Sequence, residues 1–175
     1  NQRIARMTTF VETDAATTTP NFTGRMIDRA AFDAALAARA AEAGATCRFG
    51  AIARRIAADG TVIFADGETI RPRLLIGADG PRSRAGAAIG CVNRELVATR
   101  QIRVPLRRPH DATDIFLSAE IPGGYAWLFP QGDEANLGIG AAAGGGLQQR
   151  LDQLDHPVAG VDINPGQRVN EPALL

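Results

Sequence analysis

The 175 residues suffice for one compact domain or one and a half small ones, and a chain of this size buries a core without a metal or disulfide staple. Basic and acidic residues both number 19, so the formal charge is zero, which argues against a nucleic-acid surface built on bulk positive charge. Every basic residue is Arg; the lack of Lys excludes a lysine Schiff base and, with the heavy Ala content, points to a GC-rich bacterial genome. In chain order, residues 4–12 (IARMTTFVE) are β-rich and predict a strand, and 13–24 a polar, Thr-rich loop punctuated by Pro20 and Gly24. Residues 27–44 carry the strongest helix signal, with Asp28 as cap, Gly44 as stop, and an apolar stripe of Ala30, Phe32, Leu36, Ala40 and Ala43.

Residues 45–56 predict one or two strands. The dipeptides Asp59-Gly60 and Asp66-Gly67 flank the short apolar strand 61–65, which is a hairpin signal. Residues 73–77 (RLLIG) have the continuous apolar character of a strand buried on both faces. Residues 83–89 predict a short helix capped by Ser83. From Leu96 to Gly140 the pattern changes to long antiparallel segments (ELVATRQIRVPL, TDIFLSAEI, GYAWLFP, ANLGIGAA), with turns at Arg108-Pro109, Gly123-Gly124 and Gly132-Asp133. A Gly-rich link at 144–146 leads to a short amphipathic helix, LQQRLDQLD. The expected fold is therefore α/β, of mixed α+β kind. Residues 1–92 form one domain, 93–145 an antiparallel sheet, and 146–175 a helix and C-terminal segment.

Cys47 and Cys91 stand apart, without CxxC or Cys/His spacing, and read as reduced cysteines of a cytoplasmic chain. His110 and His156 stand alone, so no metal centre is expected. No apolar run reaches the length of a membrane span, and there is no signal peptide. Asn1 and the closing EPALL read as cut ends.

Two stretches carry chemistry. In LLIGADGPRSR (74–84) a strand runs into a turn at Ala78-Asp79-Gly80 and then a helix start. Gly80 admits close backbone approach. The amides of a helix N-terminus favour an anionic group such as a diphosphate, and Arg82 and Arg84 add positive charge. A plain tight turn is the competing reading. In GYAWLFP, alternation puts Tyr125, Trp127 and Phe129 on one face of a strand, an apolar wall with two polar handles. Packing of the sheet core is the competing reading there.

The string Leu75-Ile76-Gly77-Ala78-Asp79-Gly80-x-x-Ser83 resembles the second flavin-binding motif of the FAD-dependent oxidoreductases built like para-hydroxybenzoate hydroxylase. Arg29-Ala30-Ala31-Phe32-Asp33-Ala34-Ala35-Leu36, followed by Gly44-Ala45, resembles a helix of that superfamily. Pro122-Gly123-Gly124-Tyr125-Ala126-Trp127-Leu128-Phe129-Pro130, with Asn136-Leu137-Gly138-Ile139-Gly140 after it, resembles the signature of the geranylgeranyl reductase branch. The three lie in the family's order and span roughly residues 25–142.

The resemblance implies an FAD/NAD(P)-binding, Rossmann-like domain followed by an antiparallel substrate-binding sheet. It implies FAD as cofactor of the full-length protein, NAD(P)H as a possible electron donor, and Arg29, Asp79 and Gly80 on the cofactor side. Tyr125, Trp127 and Phe129 would line a cavity for a small apolar substrate of isoprenoid kind. No side chain stands out as an obligatory proton donor, Tyr125 being the candidate. The superfamily's GxGxxG segment is not found in these 175 residues, so this chain alone is expected to be colourless and redox-inactive. Contact with a lipid surface and self-association are further expectations. A ring-hydroxylating monooxygenase and a non-catalytic apolar-ligand-binding domain are the alternative functions.

Overall fold

The computed structural model describes residues 2–12 and 14–142. The predicted helix at 147–155, the glycine link before it, His156 and the expected segment 146–175 lie outside the described residues. In chain order the elements are β1 (Gln2–Ile4), β2 (Arg6–Val11), β3 (Thr17–Thr19), β4 (Gly24–Met26), α1 (Arg29–Glu42), β5 (Ala53–Ile56), β6 (Val62–Phe64) and β7 (Thr69–Ile70). They continue with α2 (Arg84–Ala88), β8 (Val97–Pro105), β9 (Ala112–Leu117), β10 (Tyr125–Gln131) and β11 (Glu134–Ala142). The described residues divide into two compact units: those up to 29 with those from 97 to 142, and residues 30–96. This differs from the expected domain of 1–92, because β2 and β3 pair into the sheet built by the later strands.

In the first unit that sheet has six strands in the order β3-β2-β9-β10-β11-β8. All neighbours are antiparallel except β2 and β9, which run parallel in the register Arg6↔Ala112 to Val11↔Leu117. Alternation sorts the side chains by face. Leu128, Leu137 and Ile102 stand in one cross-strand row. They are buried with Val104, Ile121, Ala126, Ala135, Ile139 and Ala141, and Phe116 packs against the cluster. Each large aliphatic residue removed from water in this way contributes about 1.5–3 kcal/mol. Phe116 also stacks on Phe10 of β2, ring centroids 4.9 Å apart, which ties the N-terminal strand to the same core face. Asp114, only 2% exposed, shares that face and is hydrogen-bonded to His110 at 2.8 Å. His110 is thus locally bonded. The loop predicted at 13–24 contains β3 and the start of β4, since β-branched Thr17–Thr19 find a partner edge in β2. β1 and β4 form a separate two-stranded ribbon, with Ile4 buried.

In the second unit α1 occupies the predicted span. It closes with two bonds: Gly44 N–H donates to the Ala41 carbonyl, and Ala45 N–H to the Ala40 carbonyl. That pair is a Schellman motif around Gly44. The stripe predicted to pack is not buried: Phe32 and Leu36 are each about half exposed. β5, β6 and β7 form an antiparallel meander. Its two hairpins are built alike: Gly60 N–H donates to Ala57 O and Ala57 N–H to Thr61 O, while Gly67 N–H donates to Phe64 O and Phe64 N–H to Glu68 O. Both are three-residue loops whose Gly adopts φ near +80 to +90°, a conformation that Cβ-bearing residues resist. Arg48 braces the meander with a two-pronged hydrogen bond to Glu68 (2.9 and 2.6 Å) and a guanidinium over the Phe64 ring. Of the predicted strand at 45–56, only Ala53–Ile56 is extended and paired.

The buried strand expected at 73–77 does not form. Leu74 and Ile76 are 77% and 79% exposed, and no described strand pairs with the run. An apolar run becomes a sheet strand only where neighbours take its backbone N–H and C=O groups, and here none do.

Candidate functional site

The corner at 78–80 follows this unpaired run. Asp79 does not stand free to meet a ligand. Its Oδ1 accepts from the Ser83 hydroxyl at 2.5 Å, and its Oδ2 accepts from the amides of Arg84 (2.6 Å) and Ala85 (3.3 Å). Ser83, the N-cap of α2, takes the Gly86 amide on its Oγ at 2.8 Å, and its own amide donates to the Gly80 carbonyl at 3.1 Å. All four amides that a helix start normally leaves unpaired are therefore used internally. The Ser83 hydroxyl, opposed by desolvation and aided by the two amides, holds the Asp79 carboxyl below the usual aspartate range.

The helix-start amides expected to favour a diphosphate are thus already bonded to Asp79, to Ser83 and to the Gly80 carbonyl. Arg84, expected to add free positive charge, donates to the Arg54 carbonyl at 2.7 Å and ties α2 to β5. Gly80 remains open, with nothing within 4 Å of where a Cβ would sit. Gly77 is different: a Cβ there would lie 2.5 Å from Ala85 Cβ, so its bare backbone lets α2 approach the corner. Behind the corner is a cavity of about 350 Å³ whose walls include Ile56, Leu75, Gly77, Ala85, Ala88 and Ile89. Neither Asp79 nor Gly80 is among its lining residues.

The aromatic row stands in the other unit, on β10, and faces away from the buried aliphatic cluster. Tyr125 meets Trp127 edge-on, centroids 5.7 Å apart and planes at 61°. Trp127 and Phe129 stack at 5.9 Å and 24°. The three do share a face, as alternation predicts. Their exposure is graded: Tyr125 is 43% exposed, whereas Trp127 is 8% exposed. Trp127 lies opposite Gly138 of β11, and Tyr125 opposite Gly140. Arg29 opens α1 and is exposed, and the structure assigns it to the unit of the sheet. Sequence reasoning missed the close approaches at Gly77 and at Gly138, where a Cβ would lie 2.3 Å from the Trp127 ring. In both cases a glycine within or beside an apolar run was the available signal of close approach. Among the described residues no group of His, Cys, Asp and Glu is placed to hold a metal.

The same fold occurs in solved structures of flavin-dependent enzymes. The chain superposes on a geranylgeranyl bacteriochlorophyll reductase-like protein from Thermoplasma acidophilum with a TM-score of 0.69 at 24% identity, covering 96% of this chain and 49% of that one. It superposes on the flavin-dependent brominase Bmp2 with a TM-score of 0.64 at 15% identity, covering 95% of this chain and 50% of the brominase. Within that class the chain is geranylgeranyl reductase-like. Residues 95–161, which include the aromatic row, match the family model of the geranylgeranyl reductase catalytic domain.

In sequence it is 39% identical over 131 residues to digeranylgeranylglycerophospholipid reductase 2 of Methanopyrus kandleri, covering 67% of this chain and 33% of that protein. It is 30% identical over 160 residues to the digeranylgeranylglycerophospholipid reductase of Thermoplasma volcanium, covering 83% of this chain and 40% of that protein. The chain thus spans about a third to two fifths of the length of these curated relatives.

Proposed function

We propose that this chain supplies the substrate-holding sheet and part of the cofactor side of an FAD-dependent reductase that saturates C=C bonds in an isoprenoid chain. The observation that carries the reading is the shared face of Tyr125, Trp127 and Phe129 on β10, inside the segment that matches the reductase catalytic domain. Flat apolar rings suit a prenyl chain, which offers methyl and methylene groups and few hydrogen-bonding atoms.

In this reading the sheet holds the small apolar substrate, and residues 30–96 belong to the cofactor side. Asp79 shapes the corner, Gly80 brings open backbone to the flavin, and Arg29 offers a guanidinium. Bound FAD would carry the hydride chemistry, with NAD(P)H as the electron donor, while the chain's own residues orient the substrate and exclude water. Tyr125 carries the exposed phenolic hydroxyl of the row and is the proposed proton donor. The proposed setting is the cytoplasm, with peripheral contact to a lipid surface; among the described residues no helix is long and apolar enough to cross a membrane.

Trp127 is the sole Trp, so its fluorescence reports on the row directly. Titration of the 175-residue chain with geranylgeraniol is expected to give saturable quenching, and titration with para-hydroxybenzoate none. The reverse selectivity would move the assignment to a ring-hydroxylating monooxygenase, and quenching by neither would remove the substrate wall.

A further inference from the structure

We propose that Arg3 and Arg25 form a binding site for a phosphoryl oxyanion on the outer face of the β1–β4 ribbon. The two are direct cross-strand partners in the antiparallel register that also pairs Gln2 with Met26 and Ile4 with Gly24. Alternation therefore puts both arginine side chains on one face. Cβ atoms so paired stand about 4.5–5.5 Å apart. Both residues are exposed. Like charges set directly opposite one another destabilise a ladder, and this ribbon has only three residue pairs to absorb the cost.

Among the described residues, nothing offsets that repulsion. Arg6, Arg48, Arg71 and Arg103 face the carboxylates of Asp111, Glu68, Asp59 and Glu134, respectively. The guanidiniums of Arg3 and Arg25 have neither a hydrogen-bond nor an ion-pair partner among the described residues. Composition does not force two cations together, because acidic residues are as numerous as basic ones.

The face behind the pair is fixed. Ile4 is 1% exposed. Gln2 donates from Nε2 to the His110 carbonyl at 2.7 Å and accepts the Gly132 amide on Oε1 at 2.8 Å. The Phe22 amide donates to the Ala5 carbonyl, and a Cβ built on Gly24 would lie 2.6 Å from Phe22 Cε1, so the ring packs tightly on β4. The ribbon is thus anchored on its inner side and presents two guanidiniums on the outer one. A guanidinium offers a planar fork of donors that matches phosphate oxygens. A phosphate monoester carries about two negative charges at neutral pH, enough to neutralise both arginines at once. Neither arginine is part of the aromatic row, and the site stands without it.

The test compares wild type, Arg3→Gln, Arg25→Gln and Arg25→Glu, all as the 175-residue chain. Inorganic phosphate replaces chloride at constant ionic strength, and the side-chain Nε–H resonances of Arg3 and Arg25 are followed by NMR. Both resonances are expected to shift saturably with phosphate. Each Gln variant should weaken phosphate binding by about tenfold, the scale of one lost charge-assisted contact. Arg25→Glu sets opposite charges across the ladder. It is expected to abolish binding while raising the thermal midpoint, an opposition that a purely structural pair does not give. Flotation with phosphatidylcholine vesicles containing phosphatidic acid separates the sources of the phosphate. Retention of the wild type that is lost in Arg25→Gln supports the site and assigns it to a lipid headgroup. Phosphate binding without vesicle retention supports the site and assigns it to a soluble phosphate. Absence of saturable shifts in the wild type, or wild-type affinity in both Gln variants, overturns the site.

Discussion

Asp79 shows at the scale of one side chain what holds the corner at 78–80 in this molecule. It binds Ser83 and the first two amides of α2, so its carboxylate is a clip that folds the corner onto the helix. Because its folded pKa is lowered, the stabilisation it lends is present above the unfolded aspartate pKa of about 3.9 and is lost as pH falls through the lowered folded value. The amide resonances of Arg84 and Ala85 are therefore expected to stay constant from neutral pH down to about 4 and to move together below it. Asp79→Asn should abolish that acid transition and shift both resonances already at neutral pH; a variant with the wild-type profile would show that the clip is unimportant. The residues of the site were only partly legible in the sequence. Ser83 as cap and the shared face of Tyr125, Trp127 and Phe129 follow from local pattern. That Asp79 spends its hydrogen bonds inward does not, because the same Asp-Gly corner with a different helix entry would leave the amides open.

At the scale of elements, legibility follows how local the cause is. Each Asp-Gly hairpin is settled within five residues: the Asp carboxylate takes the amide two positions on, at 3.1 Å for Thr61 and 3.0 Å for Glu68, and the Gly supplies the left-handed turn position. Both turns were read from the dipeptides alone. Gly60→Ala and Gly67→Ala are each expected to destabilise the chain by about 1 kcal/mol, measured as a lowered urea midpoint at unchanged slope. Ala58→Ser, in the same loop but without that backbone demand, should leave the midpoint in place. The run 73–77 shows the opposite case. Its apolar composition suits a buried strand, yet strand formation depends on partners that composition does not encode. α1 is intermediate: its span and its stop at Gly44 are local and came out as read, while the burial of Phe32 and Leu36 is not local and did not.

At the scale of the whole molecule, the mixed α/β class and the antiparallel sheet were legible, because three motifs in one order carry more information than any one element. The assignment of β2 to that sheet was not, since nothing in IARMTTFVE names a partner a hundred residues away. Several large apolar side chains stay open to solvent, Phe49, Leu74, Ile76 and Ile89 each by more than three quarters. Exposed apolar surface of this kind favours association. Multi-angle light scattering is expected to show concentration-dependent oligomers of the 175-residue chain, reduced by the double change Leu74→Ser/Ile76→Ser. A monomer at all concentrations would count against it. The parallel pairing of β2 with β9 has a kinetic meaning as well. Strands β10 and β11 are joined by a tight turn and zip from neighbouring residues, whereas Ala5, Arg6 and Glu12 must find Asp111, Ala119 and their neighbours across separations of 105 to 107 residues. Such closures wait on chain diffusion. β2, although it precedes β9, β10 and β11 in the chain, is thus among the last to be built in, and the aromatic row stands assembled before β2 has found its place.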